Sequence, residues 1–181
     1  MKKQLMTFLL CGSLFATAQQ PVDYVNPFIG TSNYGTTNPG AVCPQGMMSV
    51  VPFNVMGSEK NRFDKDSQWW STPYSADNKF FTGFAHGSLS GVGCPELGGL
   101  LLMPTTGELN VDYKAYGSEY KDEVAHPGYY SNTLTKYNIK AEATASMRTG
   151  LSRFTFPKEP YPLEPRRGLD ERDRRYGTYR E

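Results

Sequence analysis

Apolar and polar residues alternate strictly near the end of the chain. Within residues 139–148, the sequence IKAEATASMR places an apolar residue at every odd-numbered position. A period of two is typical of a half-buried strand in an antiparallel sheet, because successive side chains of a strand point to opposite faces. The pattern therefore predicts a strand here.

Further strands are predicted on both sides of this one. Residues 129–137 are rich in Tyr and Thr, Asn138 supplies a turn, and residues 151–156 follow a break at Gly150. Three consecutive strands with short joints form a meander. Shorter strands are predicted at 22–25, at 47–53, where Pro52 belongs at an edge or near the end of the strand, and at 100–103, which is expected to be buried.

The pattern as a whole predicts an all-β protein. No stretch of comparable quality has apolar residues at helical spacing, and 18 Gly plus 13 Pro suit many short strands better than long helices. An apolar content of 38% and an aromatic content of 13% fit a globular domain and not a disordered chain. We therefore expect an antiparallel β-sandwich.

Charge and cysteine usage exclude several classes of function. A formal net charge of +1 leaves no electrostatic basis for a nucleic-acid partner. The three cysteines lack the CxxC spacing of a structural zinc or iron–sulfur site. After the first 20 residues, no apolar stretch is long enough to span a membrane.

The first 18 residues have the features of a signal peptide. Two lysines precede an apolar run at 5–15, and an Ala-Thr-Ala cleavage signal occupies 16–18. A transmembrane anchor would need a longer apolar run. Cys11 follows a leucine, which disfavours a lipoprotein site, so export to the periplasm or beyond is expected. In an oxidising compartment, Cys43 and Cys94 form either a disulfide or two buried free thiols.

Four motifs carry a resemblance to a known family. They are VDYVNPFIGT at 22–31, NPGAVCPQGMMSVVP at 38–52, GFAHGSLSGVGCPELGGLLLMP at 83–104, and HPGYYSNTLTKYNIKAEATASMRTGLSRFTFP at 126–157. In this order they resemble the amino-terminal domain of family 92 glycoside hydrolases, which are secreted bacterial exo-acting α-mannosidases.

The resemblance implies a two-domain enzyme of which this chain holds one part. Members of the family pair an amino-terminal β-sandwich with a larger (α/α)6 barrel, and they hydrolyse with inversion in a calcium-dependent reaction. The acid, the base and the calcium ligands belong largely to the barrel, and loops of the sandwich close one side of the pocket. On this basis residues 19–157 are a partial sandwich domain, with no catalytic residue and no metal ligand assigned in this chain.

The resemblance also points to residues that contact substrate. Phe28 and Gly30 lie in the family's first pocket loop, although a purely structural turn is the alternative. His86 either bonds a mannose hydroxyl or holds its Gly-rich loop through backbone bonds, and the second histidine common in the family is replaced by Ser88. Glu96 is placed to face a sugar hydroxyl, and the acidic residue that many members carry three positions later is Gly99 here.

Two adjacent tryptophans, Trp69 and Trp70, indicate a carbohydrate independently of the resemblance. An indole packs on the C–H face of a sugar ring, and its N–H can bond a hydroxyl. Neighbours in a strand point to opposite faces, so one of the pair is expected in the core and one at the ligand. The nearby carboxylates Asp64 and Asp66 are most simply a solvated turn, since the rest of a calcium loop is missing.

The last residues, 158–181, differ from the rest of the chain. They hold six of the nine arginines, and 13 of these 24 residues are charged. One interpretation is a disordered tail. The other is a frameshift, because back-translation of the segment from Pro160, with codons chosen to fit, gives HILLNLGEGLTNETG in the next reading frame, the kind of strand that the family has there.

We therefore predict part of a secreted α-mannosidase that trims terminal mannose from glycans. The expected partners are mannose-containing glycans and a carboxyl-terminal catalytic domain, with calcium as the cofactor implied by the family. The chain alone is expected to be inactive. A stand-alone mannoside-binding surface module and a non-functional truncated gene product remain the alternatives.

Overall fold

The computed structural model describes residues 20–33, 35–55, 72–88 and 99–158. Nine β-strands make up most of the regular structure of these residues, together with a 3₁₀ helix at Pro21–Tyr24 and a single helical turn, α1, at Tyr113–Tyr116. Over the same ranges, no helix has the length and apolar character needed to span a membrane.

The strands form two antiparallel sheets. One sheet contains β1 (Ala41–Val42), β2 (Ser49–Phe53), β4 (Gly83–His86) and β5 (Leu100–Leu102), paired in that order. The other contains β3 (Phe80–Phe81), β6 (Ser118–His126), β7 (Tyr129–Leu134), β8 (Ile139–Ala145) and β9 (Gly150–Thr155), again paired in that order.

The two sheets share one hydrophobic core. The ring of Phe84, on β4, lies 5.1 Å from that of Phe81, 5.9 Å from that of Tyr130 and 6.3 Å from that of Phe154, all three on the other sheet. Val50 of β2 joins the same buried cluster. Because apolar side chains from both sheets meet between them, the predicted all-β sandwich is confirmed.

The predicted meander is also confirmed. β7, β8 and β9 pair as antiparallel neighbours, and Ile139, Ala141 and Ala143 of β8 face the core. Asn138 adopts a positive φ of 52° in the turn before β8. Asparagine is among the few residues that tolerate this left-handed conformation, so it suits the last position of the turn that separates β7 from β8.

Strand β6 was not predicted, and a β-bulge accounts for this. The pairing of β6 with β7 shifts register between Lys121 and Val124, and Asp122 has a φ of 53°. The extra residue reverses the alternation, so that Val124 is 41% exposed and Ala125 is buried at 8%. Strict alternation is therefore absent from the sequence of β6.

Strand β2 confirms the prediction for residues 47–53 with a shorter extent. β1 pairs only with Ser49 and Val50, whereas β4 pairs with β2 as far as Phe53. Pro52 lies in the half of β2 that β1 does not reach. The missing N–H of proline therefore costs no ladder bond on the side of β1, as expected for a proline near the end of a strand.

The strand predicted at residues 22–25 is wrong. The chain forms the 3₁₀ helix Pro21–Tyr24, because the ring of Pro21 fixes φ near the helical value at the first position. Asp23 strengthens this turn: its backbone N–H donates to the carbonyl of Gln20 at 2.9 Å, and its carboxylate accepts from the N–H of Gln20 at 3.1 Å.

The strand predicted at residues 100–103 exists, but the expectation that it is buried is wrong. Leu100, Leu101 and Leu102 of β5 remain 57%, 42% and 38% exposed. Among the residues that the structure describes, β5 is the outer strand of its sheet and pairs with β4 alone. A continuous apolar run therefore does not identify a central strand in this protein.

Candidate functional site

The segment Asn-Pro-Phe-Ile-Gly-Thr at residues 26–31, called here the NPFIGT loop, is a tightly bonded turn. The side chain of Asn26 accepts from the N–H of Phe28 at 3.0 Å, and the hydroxyl of Thr31 donates to the carbonyl of Phe28 at 2.8 Å. Gly30 has a φ of 78°, and a Cβ there would lie 2.9 Å from Oγ1 of Thr37. Glycine is therefore required at this position on both conformational and steric grounds.

The side chain of Phe28 is half-buried and points toward the core. It packs against the hydrophobic core shared by the two sheets. Ile29, its neighbour in the loop, is 73% exposed. In this conformation Phe28 anchors the loop to the hydrophobic core. Contact of Phe28 with a substrate stays a prediction.

Two hydrogen bonds attach the NPFIGT loop and its continuation to residues 72–78, called here the 72–78 segment. The N–H of Ala76 donates to the carbonyl of Thr31 at 2.9 Å, and the N–H of Asn33 donates to Oδ2 of Asp77 at 2.7 Å. Asp77, one of the carboxylates near the motifs, thus has a bonding partner within the backbone of the loop.

His86 is the last residue of β4 and is half-buried. Its Nδ1 lies 3.3 Å from the carbonyl oxygen of Phe84, and its own carbonyl accepts from the N–H of Gly99 at 3.1 Å. The ring thus contacts the backbone of its own strand, and both interpretations of His86, contact with a mannose hydroxyl and support of its loop, stay predictions. The next residues are also fixed, since the hydroxyl of Ser49 donates to the carbonyl of Ser88 at 2.7 Å.

A groove of about 550 Å³ lies at the end of the sandwich where His86 is found. A Cβ placed on Gly150, at the start of β9, would come within 3.2 Å of Cδ2 of His86, and β9 begins opposite Ala145, which lines the groove. The groove thus extends from the beginning of the NPFIGT loop to the turn between β6 and β7. Its lining residues are Val25, Pro27, Asn38, Gly40, Val42, Cys43, Pro44, His126, Pro127, Gly128, Thr144 and Ala145.

The sequence did not single out this groove. His126 is the last residue of strand β6, so the prediction from the sequence that it is a turn residue is wrong by one position, and Pro127-Gly128 form the turn, with a φ of 77° at Gly128. Its ring stacks on that of Tyr129 at 6.3 Å. Cys43 is half-buried, with its Sγ 3.7 Å from Sδ of Met147. The pairing of Cys43 with Cys94 stays a prediction, because Cys94 lies outside the described residues.

Two further carboxylates are held by neighbouring side chains. Glu142 accepts two hydrogen bonds from Arg153, both at 2.7 Å, and one from the hydroxyl of Tyr129 at 2.8 Å. These bonds to its charged form lower the pKa of Glu142 to about 2. Glu123 accepts from two buried tyrosines, and desolvation by burial raises its pKa. Both groups serve contacts within the sandwich.

Several residues singled out from the sequence lie outside the described ranges. They are Asp64, Asp66, Trp69, Trp70, Cys94 and Glu96, together with the predicted signal peptide and the tail beyond residue 158. Their contacts with substrate or with each other stay predictions. Within the described ranges, no cluster of three or more His, Cys, Asp or Glu side chains has the arrangement of a metal site.

The two sheets and the motif loops together define a β-sandwich domain. Residues 24–169 match the glycosyl hydrolase family 92 N-terminal domain. The chain therefore belongs to glycosyl hydrolase family 92, as its N-terminal domain.

Known relatives agree with this assignment. The structure resembles the family GH92 α-mannosidase BT3965 from Bacteroides thetaiotaomicron with a TM-score of 0.65 and 35% identity over 77% of this chain and 19% of that one. The same enzyme in complex with mannoimidazole gives a TM-score of 0.65 and 34% identity over 77% of this chain and 18% of that one. An uncharacterized secreted glycosidase of Arthroderma benhamiae is 31% identical over 144 residues, in an alignment that covers 74% of this chain and 17% of that protein. The chain thus spans about a fifth of the length of these relatives.

Proposed function

We propose that this chain supplies the β-sandwich portion of a secreted α-mannosidase that removes terminal mannose from glycans. The observation that carries the proposal is the match, at 35% identity over 77% of the chain, to a GH92 α-mannosidase. A solved complex of that relative contains mannoimidazole, which supports a mannose-like ligand for this chain as well.

In this proposal the loops at one end of the sandwich line one side of the substrate pocket. The rigid NPFIGT loop and the end of β4 supply preformed surfaces, because their backbone polar groups are bonded before any ligand arrives. The residues proposed to contact the glycan are Phe28, Gly30, Trp69, Trp70, His86 and Glu96.

The chemical step is proposed to use carboxyl groups outside the described residues. An inverting glycosidase needs one protonated carboxyl and one carboxylate about 6.5–9.5 Å apart. Asp77, Glu123 and Glu142 are each engaged in hydrogen bonds that fix the fold. The resemblance assigns the acid and the base to the carboxyl-terminal domain, so we expect the chain alone to bind without hydrolysing.

The described residues do not fit the calcium ion that the resemblance implies, because no cluster of carboxylates is present among them. The proposal therefore assigns the ion to the part of the enzyme that carries the acid and the base. The proposed export rests on the predicted signal peptide and on a relative that is a secreted glycosidase.

A chimera tests the proposal directly. Residues 22–157 would replace the corresponding part of the Bacteroides thetaiotaomicron α-mannosidase, and hydrolysis of 4-nitrophenyl α-mannoside would be measured. We expect an active chimera in which His86→Ala raises KM, whereas Lys121→Ala, an exposed change on β6, leaves it unchanged. A folded but inactive chimera would contradict the proposal.

The unaltered chain tests the division of labour. We expect no release of mannose by the purified chain. Hydrolysis by the chain alone would show that it holds its own acid and base. Soluble, cooperative folding and millimolar or tighter binding of methyl α-mannoside, combined with an inactive chimera, would favour the stand-alone binding module.

A further inference from the structure

The half-buried carboxylate of Glu123 lies at the bulge of β6. Because Asp122 takes the left-handed conformation, Glu123 turns toward the core side of the sheet. Its Oε1 accepts from the hydroxyl of Tyr130 at 2.6 Å, and its Oε2 accepts from the hydroxyl of Tyr74 at 3.0 Å. Each carboxylate oxygen thus has its own phenol donor.

Burial makes these bonds strong and specific. Tyr74 is 1% exposed and Tyr130 is fully buried. Desolvation raises the pKa of Glu123 and of both tyrosines, and the two hydroxyl donors offset part of this effect on Glu123. A polar group in such a place is costly unless its partners are fixed, so the three side chains hold one another in a single geometry.

The two partners of Glu123 belong to different parts of the fold. Tyr130 is on β7, the neighbouring strand, whereas Tyr74 belongs to the 72–78 segment. The same segment bonds to the NPFIGT loop and its continuation through Ala76 and Asp77, at 2.9 and 2.7 Å. A continuous path of hydrogen bonds and short chain segments therefore leads from Glu123 to the loop.

The four-stranded sheet holds the segment from its other side. The Oδ1 of Asn54, just after β2, accepts from the N–H of Ser75 at 2.8 Å, and its Nδ2 donates to the carbonyl of Ser75 at 2.8 Å. The N–H of Asn54 also donates to the carbonyl of Pro73 at 3.0 Å. From the five-stranded sheet, Glu123 attaches the segment at Tyr74, and the hydroxyl of Tyr120 on β6 donates to the carbonyl of Asn78 at 2.8 Å. The segment is therefore held between the two sheets.

We infer that Glu123 is a positioning residue for the glycan-facing loops: through the hydroxyl of Tyr74 it fixes the 72–78 segment and thereby the NPFIGT loop. The inference rests on the proposed function for its relevance to glycans. The hydrogen-bond path itself depends only on this fold. The hydroxyl of Tyr130 donates to the other oxygen of this carboxylate, Oε1, and not to the 72–78 segment.

Hydrogen exchange of the purified full chain tests this path. The probes are the amides of Asn33 and Ala76, and the amides of the β7–β8 ladder serve as the internal reference. Tyr74→Phe removes one oxygen and leaves the ring. We expect it to raise exchange at the two probes about tenfold over the ladder, the scale of one hydrogen bond to a charged group.

The carboxylate is tested by two substitutions of similar size. Glu123→Met removes both acceptors, and we expect the same loop-specific rise as in Tyr74→Phe. Glu123→Gln keeps one oxygen acceptor and should restore part of the protection. In a Tyr74→Phe background, Glu123→Met should add less than about twofold at the probes, because the two changes break one path.

Tyr130→Phe is the matched control. It removes the same kind of hydroxyl from the same carboxylate, on the arm that does not reach the loop. We expect the ratio of probe exchange to ladder exchange to stay within about twofold of wild type. Equal changes of this ratio in Tyr74→Phe and Tyr130→Phe, or no change in either, would overturn the inference and leave Glu123 a residue of general stability.

Binding of methyl α-mannoside, followed by NMR titration, separates this inference from the proposed function. We expect weaker binding by Tyr74→Phe than by wild type. If the loop loses protection but the variant and wild type bind the sugar equally, or if neither binds it, the positioning path stands and the proposed role of the loops in sugar binding fails. If protection is unchanged, the positioning role is overturned whatever the sugar does.

Discussion

At the scale of single residues, Glu142 shows how a carboxylate on a sheet face acquires a fixed charge. Nε and Nη2 of Arg153 each donate to a different oxygen of Glu142 at 2.7 Å, and the hydroxyl of Tyr129 adds a third bond. The side chain of Glu142 is 8% exposed, whereas that of Arg153 is 73% exposed. A bidentate pair of this kind favours the ionised carboxylate.

We predict that this group makes stability fall at acid pH. The pKa of Glu142 drops from its ordinary value of 4.5 to about 2 on folding. Its contribution is therefore complete above pH 4.5 and is lost as pH falls toward 2. In chemical unfolding across this window, wild type should lose stability more steeply than Glu142→Gln, by a slope of about one proton.

Glu119→Gln is the control for this prediction, because Glu119 is exposed on β6. Its pH profile should run parallel to that of wild type. Added salt should reduce the difference between wild type and Glu142→Gln, since Arg153 is exposed to solvent. Parallel profiles for Glu142→Gln and wild type would contradict the prediction.

At the scale of single residues, the sequence identified candidate residues only where they lie in recognisable motifs. Gly30 and His86 were singled out because they lie in motifs, and the structure gives Gly30 a positive φ and a close contact with Thr37 that both favour glycine. Glu123 and Tyr74 were not found, because their proximity depends on a bulge and on a contact across 49 positions of the chain. A single sequence contains no periodic signal for such a pair.

At the scale of elements, β6 explains which strands the sequence can predict. β8 alternates without interruption and was predicted, whereas the extra residue in β6 reverses the alternation partway. Position-by-position hydrophobicity then places Val124 inside and Ala125 outside, the opposite of the structure. Local bonding also decided the 3₁₀ helix Pro21–Tyr24, where proline and a reciprocal Gln20–Asp23 contact override a weak alternation.

We predict that paired substitutions will report this register. Val124→Thr should change the free energy of unfolding by less than about 0.5 kcal/mol, because the side chain points outward. Ala125→Thr should cost about 1–3 kcal/mol, because it adds volume and a hydroxyl inside the core. Denaturant unfolding monitored by circular dichroism measures both. The reverse order of effects would show that β6 runs without the bulge.

At the scale of the whole molecule, the two sheets are joined through a small number of large side chains. Phe84 contacts rings from β3, β7 and β9. The sandwich could be predicted from alternation and turn residues, but the pairing of particular rings could not, because contacts between sheets leave no trace in local sequence. The exposed leucines of β5 are a second example, because their apolar sequence predicted burial. Burial also depends on which other elements cover a strand, and local sequence does not contain that information.

We predict that the sheets unfold together and that Phe84 controls this cooperativity. Phe84→Ala should cost about 3–5 kcal/mol, because it opens a cavity between the sheets at the point where four aromatic rings meet. Leu151→Ala, on β9, should cost less than about 1 kcal/mol, since Leu151 is 65% exposed. Near-ultraviolet circular dichroism would follow the aromatic core and far-ultraviolet the strands during thermal unfolding. In wild type the two transitions should coincide, and in Phe84→Ala both should shift down together. Separate transitions in wild type would mean that the sheets are independent units and that the ring contacts of Phe84 do not couple them.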